Sequence, residues 1–439
     1  MSHVFYRNSL STPPMVQRGE GVYLYDNKGK RYFDGSGGAA VSCLGHGDVK
    51  VNQAIKDQLD KVAFAHTGFF TSEPAELLAD KLIANAPAGL ERVYIVSSGS
   101  EAMESAIKLA RQYFLETGEP SRHKIIARRQ SYHGNTLGAL ATGGNMWRRE
   151  PFAPMMIETS HIAPCYEYRD RREDETNVSY GLRIANELET EILRLGPENV
   201  MAFVAEPVVG ATAGAVPPVE GYFKRIREIC DQYGVLLILD EVMCGMGRTG
   251  SLFAIEQDGI SPDITAVAKG LGAGYQPIGA MICSSKIHTA IKEGSGFFQH
   301  GHTYLGHPTA TAAALAVLGR LTDDGLAQRS KEMGEKLQQA LVTAFGQHPN
   351  VGDIRGRGLF RGVEFVTDRE TKTPFAPEAG IHKKLKKATF EAGLICYPMG
   401  GTIDGLNGDH LLLAPPFIVE DQHIDEIIDK LTVAFGEVF

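Results

Sequence analysis

Between residues 92 and 283, short apolar runs rich in β-branched residues alternate with longer amphipathic stretches, and this leaves few folds open. The runs Arg92–Val96, Lys124–Ala127, Ala202–Ala205, Val235–Leu239, Ile264–Ala268 and Ile278–Cys283 have the length of strands. They carry apolar residues without the polar alternation of a half-exposed strand, as strands buried on both faces do. Helix-like segments at Glu101–Phe114, Leu182–Leu195 and Tyr222–Tyr233 lie between several of them. Strand followed by helix, repeated, predicts an α/β domain with a mostly parallel sheet covered on both faces. In such a sheet, sites form in the crevice outside the carboxyl ends of the strands.

The flanks read differently. Residues 20–33 alternate apolar and polar around Asn27-Lys28-Gly29, a hairpin pattern. Beyond residue 308 come two helix-like stretches (Thr309–Leu321, Ala327–Phe345), a strand (Leu359–Val366), a helix (Ile381–Ala392), a strand (Leu411–Ala414) and a final amphipathic helix from about Glu420. We expect a large domain over 66–314, and a smaller α+β domain made from both chain ends, 1–65 and 315–439.

A chain of 439 residues supports a large core and more than one lobe. With 44 basic against 53 acidic residues the net charge is −9, and no long basic run appears, so nucleic acid is not expected as a partner. The first residues lack the apolar core of a secretory signal, and no apolar run has the length of a membrane span. The six cysteines are scattered without a Cys-x-x-Cys pair, which suits a reduced, cytoplasmic protein. The fourteen histidines show no metal-ligand spacing, so no metal is expected.

Two charged residues fall at expected strand ends. Asp240 closes Val-Leu-Leu-Ile-Leu-Asp (235–240), and Lys269 follows Ile-Thr-Ala-Val-Ala (264–268). Neither is placed as a solvated surface charge. A lysine that condenses with an aldehyde and a carboxylate that holds a ring nitrogen protonated are what pyridoxal phosphate requires. Ser97-Ser98-Gly99-Ser100-Glu101-Ala102 lies between strand and helix, where free backbone N–H groups form an anion cup and glycine admits a phosphate; as a bare helix cap it would need only the serine and Glu101. Ser131-Tyr132-His133-Gly134 follows another strand, and its tyrosine stacks on a planar ring or forms an ordinary surface turn. Glu206 ends a further apolar run and needs a polar partner: an arginine, a water or the cofactor's edge. The glycines of Lys-Gly-Leu-Gly-Ala-Gly (269–274) lack the spacing of a dinucleotide fingerprint, which sets a dehydrogenase aside.

In this order the motifs resemble the class III (omega) aminotransferases, a fold-type I pyridoxal-phosphate family. The cluster Leu-Asp-Glu-Val (239–242), Gly-Arg-Thr-Gly (247–250) and Pro-Asp-Ile to Lys-Gly (262–270) carries the resemblance, which runs from the Gly-Val-Tyr-Leu-Tyr-Asp hairpin to Leu-Leu-Ala-Pro-Pro-Phe (412–417). It implies a catalytic set of Lys269 (Schiff-base lysine and proton carrier), Asp240 (partner of the ring nitrogen) and Tyr132 (stacked on the ring). It further implies cofactor contacts from Ser98, Gly99, Ser100, His133, Gly134 and Glu206, with Val242 on the opposite ring face. Thr303 would reach the phosphate of a neighbouring subunit, so a homodimer with sites at the interface is implied, with pairing into a tetramer left open.

Relatives that use 2-oxoglutarate often carry a glutamate and an arginine that open to admit a carboxylate. Ala211 and Tyr397 stand at those positions here, which favours pyruvate as acceptor; Arg148, Arg149 or Arg361 are alternative carboxylate partners. For the donor, a primary amine or omega-amino acid of moderate bulk, Ala40 leaves room and Phe69 and Phe70 are expected to form an apolar wall. The alternatives are a pyridoxal-phosphate lyase, racemase or aminomutase on the same scaffold, and a non-catalytic protein that kept the fold.

Overall fold

The computed structural model describes residues 2–439. A seven-stranded sheet forms its centre, with strands β1 (Leu90–Val96), β2 (Lys124–Arg128), β3 (Thr159–Ile162), β4 (Val200–Ala205), β5 (Leu236–Asp240), β6 (Ile264–Val267) and β7 (Gly279–Ser284). Their order across the sheet is β1-β7-β6-β5-β4-β2-β3. Neighbours from β6 through β3 pair parallel. Strand β7 runs antiparallel to both β1 and β6. Its beginning, not its end, therefore lies beside the carboxyl ends of its neighbours.

Alternation along the strands sorts side chains onto two cores. Ala202, Val204, Leu236, Ile238, Met281 and Cys283 pack with helix α1 (Gly99–Glu116) through Met103, Ala106, Ile107 and Ala110. The intervening Phe203, Ala205, Leu237, Leu239, Ala280 and Ile282 join the core that includes Ile184, Leu188, Ile226 and Ile229 of helices α2 (Asn177–Leu195) and α3 (Tyr222–Tyr233). The expectation of a parallel sheet covered on both faces is met, with one strand reversed.

Both chain ends contribute to the remaining structure. Strand 31–34 pairs parallel with the short strand at Leu394–Ile395, joining residues from opposite ends of the chain. A second four-stranded antiparallel sheet takes the order 351–357, 360–365, 409–413, 397–400. In it, Tyr397 pairs with Leu412. Helices at Val49–Lys61 and Glu73–Ala84, which the apolar pattern did not single out, both pack on the helix Pro308–Thr322.

Candidate active site

Strand ends, the start of α1 and the start of β7 surround a cavity of about 590 Å³. Its floor holds the two charges that the sequence placed at strand ends. Asp240 terminates β5 and is 3 % exposed. Its Oδ2 lies 2.9 Å from His133 Nδ1, and its Oδ1 accepts the Val242 N–H at 3.0 Å. Strand β6 pairs with β5 so that Ala266 sits opposite Asp240, and Lys269 follows three residues later on the same cavity wall. Lys269 adopts φ +43°, a left-handed conformation that costs a residue with a side chain about 1–2 kcal/mol. Among the described residues its amine has no hydrogen-bond partner. Burial pushes the Lys269 ammonium below the usual lysine range, partly opposed by the Asp240 and Glu206 carboxylates.

The opposite wall is a cradle. Ser98 caps α1 by accepting the Glu101 N–H at 3.3 Å, and Glu101 reaches back to accept the Ser97 N–H at 2.7 Å. The N–H groups at the start of the helix, on Gly99 and Ser100, line the cavity with the positive end of the helix dipole behind them. Glycine is required at two points. A Cβ on Gly99 would lie 2.6 Å from Val242 Cγ1. Gly134 has φ +134°, and a Cβ there would meet Ser100 Oγ at 2.8 Å.

Glu206 is buried and holds the turn that carries the aromatic wall. Its Oε1 accepts the Tyr132 N–H at 3.1 Å and its Oε2 the Gly210 N–H at 2.8 Å. Backbone donors thus take the place of the arginine partner considered from sequence. Burial raises the Glu206 carboxyl above the usual range, with the nearby His133 opposing. Tyr132 lines the cavity, and the Arg148 guanidinium lies 4.8 Å from its ring centroid.

Ser98, Gly99, Ser100, Tyr132, His133, Gly134, Glu206, Asp240, Val242 and Lys269 all line this one cavity, as do Ala211 and Tyr397. Thr303 does not; it lies in the turn before the helix Pro308–Thr322. Phe69 and Phe70 are not brought to the cavity of their own chain either. They are 82 % and 68 % exposed and border a separate hollow with Phe64 and His66. Ala40 is corrected in favour of its neighbours. At φ +61° the turn sends its Cβ into a core with Val208, Phe360 and Leu412, while Ala39 and Val41 face the cavity. Of the alternative arginines only Arg148 lines the site. Arg149 donates to the Leu140 and Gly143 carbonyls, and Arg361 to Gln338 Oε1 and the Gly356 carbonyl.

Sequence reading missed Arg7, which reaches the cavity from the N-terminal segment, and Gln276-Pro277-Ile278, which precede β7. No local pattern marks Arg7. The second group follows from the reversal of β7, which brings a strand's beginning to the active edge.

The model of the family described as aminotransferase class-III matches residues 4–435. The chain belongs to the class III aminotransferases. It is 48 % identical to an uncharacterized aminotransferase of Schizosaccharomyces pombe over 98 % of this chain and 94 % of the relative. Among solved structures, an (S)-enantioselective omega-transaminase from Thermomicrobium roseum superposes with TM-score 0.93 at 37 % identity, covering 100 % of this chain and 96 % of that one. An omega-transaminase from Pseudomonas jessenii in complex with pyridoxamine phosphate gives 0.91 at 33 %, covering 97 % and 93 %. The architecture is accordingly that of a fold-type I transferase, and the chain is an aminotransferase.

Proposed function

We propose that this aminotransferase binds pyridoxal phosphate and moves an amino group from a primary amine or omega-amino acid to a keto acid, pyruvate in preference to 2-oxoglutarate, in a ping-pong cycle through Lys269. One observation carries the reading: an enclosed lysine amine, without a partner among the described residues, faces the same cavity as a carboxylate braced by His133 and a helix-start cradle kept open by Gly99 and Gly134. The fit to the cofactor is specific in chemistry. The N–H groups of Gly99 and Ser100 would hold the phosphate, Tyr132 and Val242 would flank the ring, and Asp240 would meet the ring nitrogen.

When bound, the cofactor supplies an aldehyde for amines to condense with and a cationic ring that draws electrons from the substrate carbon. Asp240 holds the ring-nitrogen proton, and its two braced oxygens keep the carboxylate aimed without reorganisation. Lys269 would take the proton from the substrate carbon bearing nitrogen, hold it on Nζ and return it on the other side of that nitrogen. Burial, which lowers its pKa, favours the neutral amine that the first of these steps needs. Glu206 holds Tyr132 through its backbone N–H, and Tyr132 and Val242 would shield a bound ring from water. At the acceptor side, Ala211 and Tyr397 offer no ion pair to a second carboxylate, which supports pyruvate.

A homodimer is part of the same proposal. Phe69, Phe70 and Tyr304 form an exposed apolar surface close to the turn that holds Thr303. Thr303 then serves the partner's phosphate. Sedimentation equilibrium measures the state, and Thr303→Ala should weaken cofactor binding without changing the fold.

The deciding experiment mixes the cofactor-loaded protein with amines and omega-amino acids without an acceptor. Carbonyl product together with an equivalent of pyridoxamine phosphate supports the reading. Consumption of donor while the cofactor stays in its aldehyde form overturns it in favour of a lyase or racemase.

A further inference from the structure

Four charged groups besides Lys269 line the cavity, and two of them are already engaged. Glu206 is held by two backbone N–H groups, and Asp240 by His133 and the Val242 N–H. The other two are the guanidinium groups of Arg7 and Arg148. Among the described residues neither pairs with a carboxylate, and Arg148 Nε is buried without a partner. Arg148 calls for an anion, because its planar fork matches a carboxylate and its buried Nε otherwise goes unsatisfied; Arg7 offers the same fork from an exposed position. The two sit at different depths. Arg148 lies over the ring of Tyr132, whose backbone is anchored to the floor by Glu206. Arg7 is exposed and comes from the irregular segment before residue 16, at the rim.

Substrate chemistry has the same two depths. A 2-keto acid carries its carboxylate directly on the reacting carbon, so that group must bind beside the floor. An omega-amino acid carries its carboxylate several bonds from the amine, so with the amine at Lys269 the carboxylate extends toward the rim. We propose that Arg148 and Arg7 form a two-level carboxylate reader, Arg148 taking the carboxylate of the keto-acid acceptor and Arg7 the distal carboxylate of the donor. The donor is then an omega-amino acid rather than a simple amine. This inference rests on the aminotransferase reaction proposed above and narrows its substrate class. Arg7 also ties the N-terminal segment to the substrate, so that segment becomes part of the specificity machinery.

The test uses the full-length, cofactor-loaded protein and three variants: Arg7→Gln, Arg7→Lys and Arg148→Gln. Half-reactions are measured with a straight-chain omega-amino acid and with the alkylamine of the same carbon count, and acceptor kinetics with pyruvate. Arg7→Gln should raise the half-saturating omega-amino acid concentration about tenfold or more while its limiting rate changes little. The ratio of kcat/KM for the omega-amino acid over the alkylamine should fall by the same factor, and Arg7→Lys should recover part of it. Arg148→Gln should raise the KM for pyruvate about tenfold or more. Calorimetric binding of unreactive pentanoate to the loaded protein, independent of turnover, should weaken in Arg7→Gln. Equal losses on both donors, no loss on either, or a pentanoate affinity that ignores Arg7 would overturn the proposal. Thermal melting and cofactor absorbance check that each variant is folded. If the wild-type protein transfers nitrogen from no donor, the reaction itself is wrong; if it transfers nitrogen but the Arg7 variants keep the donor ratio, only the reader is wrong.

Discussion

The floor of the cavity is made from sheet ends and one helix start, and its polar groups brace one another; half-buried Arg148 lies above it, and the rim is made from Arg7, Ala211 and Tyr397, which lie far apart in the chain. At the floor each carboxylate has two partners and two glycines are fixed by contacts shorter than 3 Å. Above the floor, among the described residues, Arg148 and Arg7 carry no carboxylate partner, and Ala39 and Ala211 leave space. The contrast separates two kinds of constraint. On the proposed reading, a floor that places the cofactor would tolerate little change, whereas a rim that chooses substrates would tolerate more.

If that contrast holds, the largest effect should come from Lys269. Lys269→Ala should lower turnover by about 10⁴-fold if, as proposed, the lysine both bonds the cofactor and moves the proton. The pH profile of the wild type sharpens the point. With the neutral amine as the proposed base, the rate should rise with pH and level off as the lysine loses its proton. Burial lowers that pKa, so the plateau should begin below the ordinary lysine range. A limiting rate still climbing at pH values typical of an exposed lysine would contradict it.

Asp240→Asn comes next. It keeps the shape, and the amide can still meet the Val242 N–H, but it offers the ring nitrogen no charge. Loss of one preorganised electrostatic partner corresponds to about 10²–10³-fold in kcat. Melting temperature and cofactor occupancy should change far less than rate; a parallel collapse of all three would mean that the aspartate serves the fold.

Gly99→Ala tests the cradle by crowding. Its Cβ would fall 2.6 Å from Val242 Cγ1, so a contact must give way. Overpacking of this kind costs about 1–3 kcal/mol, or roughly five- to a hundredfold in affinity. Cofactor titration of the apo protein reads it directly, and adding Val242→Ala should restore part of the loss. Unchanged affinity in Gly99→Ala would show that the cradle has slack.

The same contrast explains what was legible in the sequence. Strand ends announce themselves: a lone charge after an apolar run, as at Asp240 and Lys269, has to face a crevice. The six expected strands and three helices of the central sheet and its covering layers were found because burial on both faces removes polar residues and leaves periodicity as the only variable. Strand β3 was missed because Thr-Ser-His-Ile (159–162), at the sheet edge, is mostly polar. The rim was legible only in part, since no local pattern brings residue 7 to residue 397. Ala40 was misplaced by one position because a positive φ, invisible in a row of small residues, inverts which alanine faces the cavity.

The smallest effect belongs at the rim, and Tyr397 is where to look for it. Tyr397 is half-buried on an edge strand of the antiparallel sheet, opposite Leu412, and its side chain reaches the cavity. An arginine there gains a position from which to meet the far carboxylate of 2-oxoglutarate, but it also joins two existing cations, Arg7 and Arg148. Their repulsion offsets part of a charge-assisted hydrogen bond that elsewhere contributes about 1.5–3 kcal/mol. Tyr397→Arg should therefore raise the ratio of kcat/KM for 2-oxoglutarate over pyruvate by only a few fold. Adding Ala211→Glu should lower the loss on pyruvate, because the new arginine then has a partner to close onto when no second carboxylate is present. Acceptor kinetics on the two variants measure both effects. A ratio that stays fixed in folded, cofactor-loaded Tyr397→Arg would place acceptor choice in Arg148 and the floor, and would erase the division between floor and rim at that position.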